Sequence, residues 1–146
     1  MRTNGATFVV PASALPRRPA AALLASARVG LAEASITRGY ADRYVLAHLA
    51  ALRCAAAVLA ARALPGNSRR GPTSAWALLA AVAPELGEWA TFFAAGAAKR
   101  SAAESGHVGA VTAREADDLV RDAESFLGLV EITLGVPSQP PLSSIG

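Results

Sequence analysis

Ala41-Asp42-Arg43-Tyr44-Val45-Leu46-Ala47-His48-Leu49-Ala50-Ala51-Leu52-Arg53-Cys54-Ala55-Ala56-Ala57-Val58-Leu59-Ala60-Ala61-Arg62-Ala63 is the stretch on which the fold turns. Ala41, Val45, His48, Leu52, Ala55 and Leu59 recur at three- and four-residue steps, with Leu49, Ala56 and Ala63 beside them. That period predicts a helix from about Ala41 to Ala63. Alanine and leucine make it a strong one, because they lose little side-chain entropy in a helix. The same chemistry runs through the whole chain. Alanine supplies about a quarter of the 146 residues, only 5% are aromatic and 17% are charged. A mostly-β fold is therefore disfavoured, and the length suits one domain of roughly 100–200 residues.

Working outward, Leu23, Leu24, Ala27, Leu31 and Ala34 mark an earlier helix from Pro19 or Ala20 to Thr37, stopped at Gly39. Residues 1–19, with Pro11, Pro16 and Pro19, read as a flexible or extended leader. Beyond Ala63, Leu64 to Pro72 is a loop, and Thr73 or Ser74 can cap a third helix that Pro84 ends or kinks. A longer segment restarts at Pro84-Glu85 and reaches Ser105-Gly106. Thr112-Ala113-Arg114-Glu115 is a capping box opening a last helix, whose stripe runs from Ala116 through Leu119, Val120, Ala123, Phe126, Leu127 and Val130 to Leu134. Gly135 and Pro137 stop it, leaving 137–146 as a disordered tail. An all-α bundle of four to five helices over residues 20–136 follows. Trp76, Trp89, Phe92, Phe93 and Phe126 are expected to fill its core, and an uncovered alanine face on the second helix, around Ala51 and Ala55, would be buried by a second copy.

Many function classes drop out. The charge-free stretch Gly71 to Pro84 is shorter than the ~18–20 residues a membrane span needs, so the mean hydropathy of +0.34 reads as close helix packing, and no membrane partner is expected. The start of the chain lacks an apolar run of signal-peptide length, so a cytoplasmic location is expected. Cys54 stands alone, which excludes a disulfide or thiolate metal site and suits a buried thiol. The histidines are His48 and His107, neither with a carboxylate at metal-ligand spacing, so no metal or cofactor is expected. Gly66-Asn67-Ser68-Arg69-Arg70-Gly71 lacks the lysine-hydroxyl ending of a phosphate-binding P-loop. Glu115, Asp117, Asp118, Asp122 and Glu124 read as the solvated face of the last helix. The net charge of +3 is unevenly spread, +8 over Met1–Thr73 and −5 over Ser74–Gly146. Either the basic half attracts phosphate, or the halves neutralise each other within a bundle or across a dimer.

Arg43 and His48 are separated by four residues, and Arg100 and His107 by six. The first pair resembles the arginine–histidine signature of the HEPN (higher eukaryotes and prokaryotes nucleotide-binding) superfamily of helical bundles. Ala41–Arg62, Ser74–Leu79, Ala83–Trp89 and Arg114–Leu119 are together similar to an uncharacterised actinobacterial branch of HEPN-like proteins. The resemblance implies a homodimeric bundle with a metal-independent ribonuclease site, in which His48 is the general base toward a ribose 2′-hydroxyl and Arg43 holds the phosphate. On a regular helix five residues separate the two by about 140°, so they converge only if Arg43 lies at a frayed helix start or a partner chain supplies the second group. Arg38, Arg69 and Arg70 are the candidate RNA-contacting arginines. Two functions compete: RNA or nucleotide binding with endoribonuclease activity, and a non-catalytic bundle for a protein partner or homodimerisation.

Overall fold

The computed structural model describes residues 9–11, 15–66 and 74–136. Five helices make up most of it. They are α1 (Ala20–Ile36), α2 (Tyr40–Arg62), α3 (Ala75–Val82), α4 (Gly87–Glu104) and α5 (Ala113–Leu134), with a 3-10 turn at Pro84–Leu86 leading into α4. The punctuation is chemical. The Ser74 hydroxyl accepts from Ala77 N–H at the start of α3, and Pro84 ends that helix because its ring cannot continue a straight one. Thr112 and Glu115 close a reciprocal capping box on α5. Gly135, at φ 69°, ends α5 in the left-handed region that glycine enters without strain.

The alanine-rich α2 is the central helix. It packs most extensively on α1 and α5 and, on another side, on α3 and α4. Ala47, Ala50, Ala51, Ala55 and Ala57 are fully buried, since a methyl is the largest group that such close helix axes admit. Ala51 and Ala55 therefore face the inside of this chain, which corrects their expected role as a seam between copies. By length and hydropathy (mean hydropathy 1.8) α2 is apolar enough to cross a membrane, a property the charge-free criterion overlooked. Here 56% of its apolar window is buried against the other helices, and Leu46 and Leu49 stay partly open.

Aromatic side chains fill the space the alanines leave. Phe93 and Phe126 are fully buried with ring centroids 5.1 Å apart, and Trp76 stacks on Phe93 at 5.2 Å. Trp89 is only partly buried at the edge of this group, and Phe92 is 47% exposed, against the expectation that both are core. The reason is helical phase: on α4, Ala90 and Phe93 point inward, which turns Phe92 out.

Part of the leader is described. Val9–Pro11 pairs in parallel with Leu64–Gly66, with Val10 buried, and Arg18 bonds the Ala22 carbonyl and Ser26 hydroxyl on α1. The tail at 137–146 and the loop carrying Arg69 and Arg70 lie outside the described residues. Across the bundle, Arg28 pairs with Glu131, Arg43 with Asp117 and Arg62 with Glu85. Each pair joins the basic half of the sequence to the acidic half, so part of that imbalance is internal structure.

Candidate functional site

Arg43 lies in the first turn of α2, where its backbone N–H bonds the Gly39 carbonyl. Its guanidinium is engaged on every side: Nε donates to the Thr37 carbonyl at 3.0 Å, Nη2 to the Arg38 carbonyl at 3.1 Å, and Nη1 to Asp117 Oδ1 at 2.5 Å. Thr37 and Arg38 follow directly on α1, so the positive group sits at the negative end of that helix's dipole. The side chain ties the α1–α2 turn to α5. A phosphate would have to displace Asp117 to reach it.

His48 is 1% exposed. Its Nε2 is 2.9 Å from the Phe93 carbonyl, a bond that requires Nε2 to carry the proton, leaving the lone pair on Nδ1. Nδ1 is itself buried and has no partner among the described residues. The ring is walled by Tyr44, Trp76 and Phe93, at centroid distances of 6.4, 5.9 and 6.3 Å. Burial is the main reason its pKa is held below the ordinary imidazole value, and Arg100 lowers it further, while the Phe93 carbonyl and Glu104 act the other way. A general base must present its lone pair to the proton it takes. In this chain the Nδ1 lone pair is enclosed and Arg43 is directed toward α1 and α5, so the fold does not bring the two expected catalytic side chains together.

The arginine whose charge reaches His48 is Arg100 on α4, whose buried Nε makes no hydrogen bond among the described residues and stands 4.0 Å from Glu104 in an ion pair. Sequence reading missed the link from Arg100 to His48, although Phe93, Gly96 and Arg100, at steps of three and four, put all three on one face of α4. Gly96 is needed there: an added Cβ would stand 2.8 Å from the Tyr44 hydroxyl and 3.5 Å from His48 Cδ2. His107 is exposed in the α4–α5 connection, with Nδ1 3.3 Å from the Ala102 carbonyl. Arg38 is exposed beside the α1–α2 turn. Cys54 is buried and its thiol is pushed up to about 12, mainly by desolvation, so it is inert at neutral pH. Among the described residues, no three His, Cys, Asp or Glu side chains gather where a metal could sit.

Surface hollows lie among the described residues. A groove of about 530 Å³ runs between α1 and α2, lined by Ala22, Val29, Gly30, Glu33, Leu46 and Arg53 among others. A second, about 400 Å³, includes the Arg43–Asp117 pair and Arg121. A third, about 250 Å³, lies between Tyr44, Phe92 and the acidic face of α5.

A short-looped bundle around a buried alanine helix, with an arginine and a histidine near the start of that helix, defines a class of small helical domains. A family model, that of HEPN_SAV_6107-like HEPN, matches residues 34–131, from the end of α1 through almost all of α5. The chain belongs to this HEPN family and has its all-α bundle fold. No curated protein and no solved structure matches it.

Proposed function

We propose that this chain is a non-catalytic HEPN-family bundle that acts by association, with a second copy as the first partner of its α1–α2 face. The observation that carries this is the sealed imidazole of His48: a ribonuclease base cannot work from a position 1% exposed with its lone pair buried. The association surface is supported by the apolar stripe on the outer side of α1. Val29 and Ile36, two turns apart, are 68% and 81% exposed, and Leu46 and Leu49 of α2 continue the groove. Glu33 and Arg53 flank the groove with no ion pair among the described residues. In an isologous dimer each Glu33 can meet the partner's Arg53, which makes the face self-complementary.

The family resemblance favours the other reading, RNA or nucleotide binding with cleavage, through Arg38, Arg69 and Arg70. Two measurements separate them. Sedimentation should show a dimer at micromolar concentration that Val29→Glu with Ile36→Glu converts to monomer. Incubation with mixed-sequence RNA and a chelator should give no cleavage. Metal-independent cleavage that a folded His48→Asn variant loses would overturn the non-catalytic reading, and a wild-type monomer would overturn the dimer.

A further inference from the structure

The hollow between α2, α4 and α5 has a composition that nothing in the bundle's packing requires. Its floor is Leu119 and its walls are Tyr44 and Phe92; its polar lining is Glu115, Asp118 and Asp122 with a single lysine, Lys99. Lys99 is taken by Glu115, and Asp118 is met by Arg121 from one turn further along α5. Asp122, half-buried, has no ion pair among the described residues. Two acids one turn apart on α5 thus face one cavity with less cation than they need.

An acidic helix face alone would be an ordinary solvated surface, but two further features are not ordinary. Tyr44 lines the hollow although it is only 6% exposed, and its hydroxyl makes no hydrogen bond to any described residue. That hydroxyl lies over Gly96, and Glu115 is near enough, after burial, to help raise the phenol's pKa. Phe92 keeps 47% of its surface exposed at the same opening. A phenol hydroxyl with no hydrogen bond among the described residues, an uncovered ring and a carboxylate with no ion pair among them line about 250 Å³, space for one side-chain-sized group.

We infer that this hollow binds a guanidinium on an aliphatic stem, its planar fork bridging Asp118 and Asp122, its face on Phe92 and one N–H directed to the Tyr44 hydroxyl. A guanidinium fits better than a compact ammonium because it can donate to two carboxylates at once and stack on a ring. It offers donors only, which suits the accepting oxygens of Tyr44 and the two aspartates. Burial and the neighbouring Asp118 raise the pKa of Asp122, and Arg121 only partly offsets them. The hollow shares no residue with the α1–α2 groove, so it stands or falls independently of the dimer.

The cation has two sources, a free alkylguanidine or an arginine of a protein partner. Full-length chain is titrated, with amide shifts followed by NMR, with agmatine and separately with an acetyl-Gly-Arg-Gly-amide peptide. Shifts should cluster at Phe92 and from Asp118 to Asp122, with agmatine binding on the order of 1 mM. Asp122→Asn, at a half-buried position, and Phe92→Ala, at an exposed one, should each weaken binding at least fivefold without altering the circular dichroism spectrum. A peptide binding tenfold tighter than agmatine assigns the site to a partner arginine, and the reverse order assigns it to a small guanidine. Absence of shifts at α5 with either probe, or binding that Asp122→Asn leaves unchanged, overturns the inference.

Discussion

His48→Ala distinguishes a buried structural histidine from a catalytic one, and its cost follows from the surroundings. The substitution removes a side chain packed between Tyr44, Trp76 and Phe93 and the 2.9 Å bond to the Phe93 carbonyl. Large-to-small truncation at such a site costs about 2–5 kcal/mol, and the lost hydrogen bond adds roughly 1 kcal/mol. The partnerless Nδ1 disappears too, which returns part of that, so about 2–4 kcal/mol is the net expectation. For a chain of this size that is a fall in Tm of roughly 8–15 °C. The pH dependence is a second readout. Burial depresses the folded-state pKa of His48, so between that value and the ordinary value of about 6.5 the unfolded chain binds the extra proton. The contribution is complete above pH ~6.5 and is lost as pH falls through the depressed folded value. Arg100 deepens this effect, and Glu104 and the Phe93 carbonyl reduce it. Circular dichroism melts at pH 7.5 and 5.5 should therefore show wild type losing more stability on acidification than His48→Ala. A variant melting within about 2 °C of wild type, or one with the same acid sensitivity, refutes the buried-imidazole argument.

Other substitutions probe the same geometry. Gly96→Ala should destabilise by roughly 1–3 kcal/mol despite alanine's better helix propensity, because its Cβ meets the Tyr44 hydroxyl; Gly128→Ala, with nothing within 4 Å, should stabilise by up to ~1 kcal/mol, and chemical denaturation compares the two. Phe93→Ala should cost about 3–5 kcal/mol and the partly buried Trp89→Ala distinctly less, an ordering that equal melting temperatures would contradict. Arg43→Ala should lower stability by about 1–3 kcal/mol through the lost bonds to Thr37, Arg38 and Asp117, while leaving affinity for mixed-sequence RNA unchanged in a filter-binding assay.

The helices were legible because their signals are local. Ser74, Pro84, Thr112 with Glu115, and Gly135 each act on the neighbouring backbone amides or carbonyls, and each marks an element boundary. What Ala51 and Ala55 face depends on where α5 and α1 come to lie, a long-range matter that an all-alanine surface does not encode. Phe92 shows the same limit: three aromatic residues within five positions of α4 cannot all share an inward stripe, and composition does not say which one turns out. The pairing of Val9–Pro11 with Leu64–Gly66 joins segments more than fifty residues apart through backbone groups, so no side-chain pattern announces it.

The arginine–histidine pattern is instructive because each residue bridges two parts of the bundle without the two forming a site together. Spacing along a helix fixes an angle, and five residues put Arg43 and His48 on different sides of α2. One side meets the carbonyls that follow α1 and the carboxylate of α5; the other meets the aromatic face of α4. Catalysis by this pair would need Asp117 to release Arg43 and the wall around His48 to open over Nδ1, two independent rearrangements. The +8 segment follows the same logic. Arg28, Arg43 and Arg62 are each committed to an acid from the −5 segment, so three of the positive charges that could have drawn phosphate instead hold the two halves of the chain together. Arg38, Arg53, Glu33 and Asp122 have no ion pair among the described residues and are open to partners. Under the association proposed above, recognition falls to the outer faces, while Arg43 ties the α1–α2 turn to α5 and His48 ties α2 to α4.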